Sequence, residues 1–186
     1  MIAGFIILRL RNILGRKTGH DSKVYHGFSE KKFNMPKTAV KNAEANHDVL
    51  EGKEKKEFLE GAEIAYETIL TSFANGEIKK LKSLLTSDMA TSFEEAILVR
   101  NKNNIKSEFT FIGVKESGVE KYEKIKNEIF ASVKFVSEVI SVKKDKENKI
   151  IEGNPDKIKI VTDYWKFTRN ILNKSPNWHL SEIVSK

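Results

Sequence analysis

The most constraining stretch lies in the last third of the chain, where three runs alternate apolar and polar residues. They are Phe135-Val136-Ser137-Glu138-Val139-Ile140-Ser141, Val161-Thr162-Asp163-Tyr164-Trp165-Lys166-Phe167 and Pro176-Asn177-Trp178-His179-Leu180. A period of two puts successive side chains on opposite faces of a strand, so these runs are predicted strands of one half-buried sheet. Both tryptophans of the chain fall in them. Any fold for this chain has to close an apolar face over that sheet.

The cover is written upstream, where the period is 3.6. Phe58, Ala62, Ala65, Tyr66, Ile69, Leu70 and Phe73 recur at three and four residues, which predicts an amphipathic helix starting near Lys53. Asn75-Gly76 stops it, with Gly76 as a left-handed cap. Ile78, Leu81, Leu84 and Leu85 mark a short second helix. Thr86-Ser87-Asp88 then offers an N-cap to a third, striped by Met89, Phe93 and Ile97 and ending at Asn103-Asn104. These stripes read as core.

After Ile105 the period returns to two, with Phe109, Phe111 and Gly113 alternating with Thr110 and Ile112 in a first strand. The polar stretch from Gly118 to Asn127 reads as a strand edge or a loop. In the next strand Ile129, Ala131, Val133 and Phe135 share one face, whereas Val136, Ile140 and Val142 have the opposite parity. A parity change within one strand predicts a β-bulge at Phe135-Val136, which would bend the sheet into a cup. Lys143 to Lys149 reads as a charged hairpin loop, and Gly153-Asn154-Pro155-Asp156 and Ser175-Pro176-Asn177 read as turns. Helices followed by an antiparallel sheet give an α+β class, with the helices on one face of a curved sheet.

The N-terminal third is different. Met1 to Leu8 is apolar and is closed by Arg9-Leu10-Arg11. A spanning helix needs about 20 apolar residues, so this run cannot cross a bilayer unaided. Its positive charges follow the apolar run, the reverse of a secretory signal. Three readings fit: the end of a membrane span whose start is not in this chain, an interfacial anchor, or a plain helix. Ile6, Leu10, Ile13 and Leu14 share a helical face, which suits lying in the interface. The chain carries a net charge of +7, and in its first two dozen residues Arg9, Arg11, Arg16, Lys17 and Lys23 meet only Asp21. That asymmetry suits an acidic lipid surface, with Arg9, Arg11, Arg16 and Lys17 as the binding residues. No aromatic-basic motif points to nucleic acid. From Gly19 to Gly52 the pattern dissolves into a linker with isolated apolar residues. Among them Phe28, Phe33 and Met35 either form a docking motif for a partner protein, or rest on the domain or do nothing. The division is therefore 1–18 membrane-proximal, 19–52 linker and 53–186 folded domain.

Chemistry is sparse. There is no cysteine, which excludes disulfides and thiolate metal sites. No phosphate loop, glycine fingerprint or nucleophile elbow occurs, and no two histidines stand at ligand spacing. Neither a catalytic residue nor a metal or cofactor is expected. Asp163 is in register with Val161, Trp165 and Phe167, and Glu138 with Val136, Ile140 and Val142, so both carboxylates are expected on the apolar side. A desolvated carboxylate has a raised pKa and can act as a general base. The alternative is that each sits at the rim or pairs with a lysine or Arg169. Phe135, Trp165, Phe167 and Trp178 are expected to line the cup or to fill it.

The residues also carry a resemblance. Phe58-Leu59-Glu60-Gly61-Ala62 with Tyr66, the runs at 135–141 and 161–169, Glu152-Gly153-Asn154-Pro155-Asp156 and Pro176-Asn177-Trp178-His179-Leu180 resemble one family. It is that of the forty-four-kilodalton subunit of the mitochondrial inner-membrane protein translocase, in its bacterial branch. The leader Leu10 to Gly19 resembles the basic stretch that follows the membrane segment of bacterial members. The resemblance implies a cone-like fold similar to nuclear transport factor two. It also implies an adaptor at the cytoplasmic face of the bacterial inner membrane that contacts acidic lipid and a protein partner such as a chaperone or translocon component. Cone folds of this shape also host isomerases and dehydratases, so a small-ligand enzyme with a carboxylate in the cup is the alternative.

Overall fold

A computed structural model describes residues 50–173 and 175–185; the segment 1–18 and most of the linker lie outside the described residues. Three helices precede a five-stranded antiparallel sheet, the α+β order that the periods predict. Helix α1 (Gly52–Asn75) buries Phe58, Ala62, Tyr66, Ile69, Leu70 and Phe73, the stripe at three- and four-residue spacing. It ends at Gly76, whose φ of 75° lets its N–H reach Phe73 O while Glu77 N–H reaches Ser72 O.

Helix α2 (Ile78–Leu84) and helix α3 (Ser87–Lys102) turn on Leu85 and Thr86. The Thr86 side chain makes no cap bond; its N–H instead reaches Leu180 O at 3.0 Å, and Leu85 bridges the same residue. The corner is thus fixed by the sheet rather than by a local cap. At the far end of α3, Arg100 Nη1 donates to Phe73 O at 3.0 Å with its guanidinium 5.5 Å from the Phe73 ring centre. The cation thus adds a second donor to a carbonyl already held by Gly76, at the helix end where the dipole favours positive charge.

The strands are β1 (Lys106–Ile125), β2 (Glu128–Lys144), β3 (Ile150–Gly153), β4 (Lys159–Asn170) and β5 (His179–Val184). The sheet order is β1-β2-β4-β5, and β3 extends the β4 side of β2. The stretch from Gly118 onward is strand as far as Ile125, not loop. It closes on β2 through the two residues Lys126 and Asn127, with Lys126 at φ 55°. Strand β5 starts at His179 and runs to Val184, later than the predicted run from Pro176.

The bend is real but is not where the alternation put it. Strand β2 pairs with β4 without a register shift from Glu128 to Val139, and every odd residue from Ile129 to Ser141 is buried. There is no bulge at Phe135-Val136. The inward positions after Phe135 include Ser137 and Ser141, while Val136 and Ile140 are half-buried on the outer face. An inward serine beside an outward valine imitates a change of parity. Three bulges lie on the edge strand β1, where Ile112, Lys115 and Glu120 each enter as an extra residue opposite β2, and smaller shifts occur where β3 pairs with β2 and at Ser181 where β5 pairs with β4. Each bulge on β1 flips the inward set, from Phe109 and Phe111 to Val114, then to Val119, then to Tyr122, all of which pack on the core. The 20 residues of β1 opposite the 17 of β2 lengthen one edge and curl the sheet around α1.

Candidate functional site

Tyr66, at the middle of α1, is fully buried and stands over the centre of the sheet. Its ring stacks on Phe135 with centroids 4.4 Å apart and planes 15° apart, and it meets Trp165 edge-on at 4.6 Å. Its hydroxyl donates to Asp163 Oδ2 at 2.5 Å and lies 3.0 Å from Ser137 Oγ. Sequence parity alone brings Asp163 inward, and there it is 4% exposed. Burial pushes the Asp163 carboxyl up to about 6, against the opposing pull of the Tyr66 hydrogen bond. Burial first, then the neighbouring Asp163 charge and hydrogen bond, hold the Tyr66 phenol far above its usual range. The centre of the cup is therefore filled by a satisfied polar pair inside an aromatic cluster.

Glu138 does not join it. Outward on the continuous β2, it is half-buried and makes an ion pair with Lys115 at 2.9 Å. The expectation of an inward Glu138 rested on the same misplaced bulge. Phe135 and Trp165 likewise line no opening; with exposures of 0% and 1% they are core.

Phe167 and Trp178 do face one. A half-open groove of about 740 Å³ runs between the first half of α1 and the approach to β5. Helix α1 supplies Glu54, Glu57, Phe58, Gly61, Ala62 and Ala65, β1 supplies Tyr122, β4 supplies Phe167 and Arg169, and Pro176, Asn177 and Trp178 close the far wall. Phe58 meets Trp178 at 4.7 Å and Phe167 edge-on at 6.2 Å. The Arg169 guanidinium lies 5.1 Å from the Trp178 ring centre, within cation–π range. The groove exists because α1 turns small residues toward it. A Cβ added at Gly61 would meet nothing within 4 Å. The sequence carried that signal unread: Gly61, Ala62 and Ala65 sit in the apolar stripe where larger residues would close the gap.

A space of this size with aromatic walls and a few polar rim groups suits an apolar side-chain cluster or a ligand of similar size. Asp163 lines neither this groove nor a shallower one of about 460 Å³ between Glu60, Glu63, Ile64 and Glu67 of α1 and residues 111–114 of β1. Among the described residues, no group of three histidine or carboxylate side chains is placed to hold a metal ion, and no helix is long and apolar enough to cross a membrane. Arg9, Arg11, Arg16 and Lys17 lie outside the described residues.

Solved structures with low similarity to the chain include the following three. The intermembrane space region of the chloroplast protein ARC6 is 12% identical over 69% of this chain and 97% of its own, with a TM-score of 0.46. A putative dehydratase of the NTF2-like family from Streptomyces avermitilis is 11% identical over 70% and 99%, with a TM-score of 0.40. A ketosteroid isomerase-like protein from Erwinia carotovora atroseptica is 15% identical over 70% and 98%, with a TM-score of 0.35. No curated protein matches the chain in sequence. The model of the Tim44-like domain, in contrast, matches residues 42–185, which takes in all three helices and the whole sheet. The chain belongs to the Tim44-like domain family.

Proposed function

We propose that this protein is an adaptor at the cytoplasmic face of the bacterial inner membrane, holding an apolar segment of a protein partner in its aromatic groove. In this reading Arg9, Arg11, Arg16 and Lys17 engage acidic lipid, each contributing about 1 kcal/mol at an anionic surface. The partner is a chaperone or translocon component, and no reaction is catalysed. Family membership supports the reading, because it suggests a membrane-associated, translocation-related role.

The observation that carries it is the contrast between the two halves of the inner face. The half holding the carboxylate is filled, with Asp163 engaged by Tyr66. The open half has aromatic walls; Glu54 and Glu57 stand at its rim, and the Ser83 hydroxyl that lines it is engaged with Lys80 O. A catalytic carboxylate must reach its substrate, whereas a binding groove needs only shape, apolar area and a few polar rim groups.

The test combines two variants. Changing Arg9, Arg11, Arg16 and Lys17 to Glu removes the basic segment, and Gly61→Trp fills the groove. With vesicles containing acidic lipid, the first variant fails to co-sediment while Gly61→Trp still binds. In pull-downs from membrane extracts, Gly61→Trp loses the proteins that the native chain retains. Equal vesicle binding by the native and charge-reversed chains would refute the lipid half, and unchanged pull-downs by Gly61→Trp the partner half.

A further inference from the structure

We infer that the aromatic groove is the seat of the chain's own linker segment Phe28–Met35, which docks there in cis and gives way to a partner. The inference rests on the groove rather than on the membrane reading. The groove begins where the tether arrives: Leu50, the first described residue, is 9% exposed, packs on the core and lines the groove. Leu50 thus fixes the attachment point of the linker at the groove.

The linker holds one compact set of large apolar residues within reach, Phe28, Phe33 and Met35. About fifteen residues of tether join Met35 to Leu50, and a flexible chain of that length has a root-mean-square span of about 20 Å. The groove wall on α1 runs from Glu54 to Ala65, about 17 Å at the helical rise. Local concentration is greatest when the span of a tether matches the distance it must cover. Charge agrees as well. The segment carries Lys31 and Lys32 against Glu30, while the α1 rim offers Glu54 and Glu57 and the facing Arg169 lies over Trp178.

The absence of native cysteine makes a direct test clean. Asn34→Cys is combined with Asn177→Cys at the groove rim, or with Thr162→Cys on the exposed outer face of the sheet as a control; Asn34→Cys leaves Phe28, Phe33 and Met35 in place. Under mild oxidation at low protein concentration, the Asn34→Cys/Asn177→Cys protein is expected to close an intramolecular disulfide at least about tenfold faster than the control, as the effective concentration of a docked tether implies. Replacing Phe28, Phe33 and Met35 with Ala should bring that rate down to the control's. Equal rates for the two pairs, no effect of the alanines, or disulfides only between chains would each overturn docking in cis. Failure of the Gly61→Trp pull-down would instead strike the partner reading and leave this result standing.

Discussion

Tyr66 and Asp163, 97 positions apart in sequence, meet through a 2.5 Å hydrogen bond in which the phenol donates to a carboxylate that is 4% exposed. The pair ties the middle of α1 to the middle of β4 and fills the centre of the sheet's inner face.

Removing the donor leaves a buried carboxylate without its hydrogen bond. Tyr66→Phe is therefore expected to destabilise the fold by about 1.5–3 kcal/mol at pH 7, the range for a bond to a charged group. The double change Tyr66→Phe/Asp163→Leu should recover part of the loss, since no buried charge then remains. Urea denaturation of the two variants decides it; a double variant weaker than the single by the full Asp163 contribution would contradict the pairing.

The carboxyl at about 6 makes stability depend on pH in a defined direction. Its folded value is raised above that of a free aspartate, so the folded state holds the proton more tightly than the unfolded chain does. The contribution is full below about pH 4, falls as pH rises through 6 and is flat above, a change of about 3 kcal/mol. Asp163→Asn does not titrate, so the native protein's advantage over it should shrink by that amount from pH 4 to pH 7. Parallel melts of both proteins across the range test this, and a constant gap would rule it out.

Two glycines should respond oppositely to alanine. At Gly153 φ is 93° and an added Cβ would lie 2.1 Å from Ser141 O, so Gly153→Ala should cost about 1–3 kcal/mol and loosen β3 from β2. Gly61 has ordinary helical surroundings and open space, so Gly61→Ala should stabilise by about 1 kcal/mol. Thermal unfolding gives both signs. Faster amide exchange confined to β3 and its partners in Gly153→Ala would locate the damage.

The two tryptophans separate folding from binding. Trp165 is core, and Trp165→Ala should cost about 3–5 kcal/mol. Trp178 is half-buried against Phe58 and Arg169, so Trp178→Ala should cost far less stability while removing a wall of the groove. Melting both variants and repeating the pull-downs with Trp178→Ala checks the division. A Trp178→Ala protein as unstable as Trp165→Ala would place that residue in the core.

Much of the fold was legible because it is written in local periods. The α1 stripe, the Gly76 cap, the Met89-Phe93-Ile97 face and the inward parity of Trp165, Phe167 and Asp163 all depend on neighbours a few residues away. The bulge was misread because β2 buries Ser137, which looks polar and outward until Tyr66 is placed 3.0 Å from it. The true bulges on β1 leave only a weak trace, since Val114, Val119 and Tyr122 are inward residues scattered among charges in an exposed edge strand.

The sequence by itself determined the order of helices and sheet, the apolar stripes of α1 and α3 and the inward parity of Trp165, Phe167 and Asp163, because side-chain direction follows from backbone period. Only the tertiary structure decided what meets those faces. It put Tyr66 on Asp163, sent Glu138 out to Lys115, curled the sheet at β1 and opened the groove between Gly61 and Trp178. Those outcomes depend on how distant segments pack, and no local period encodes the distance between residues 66 and 163.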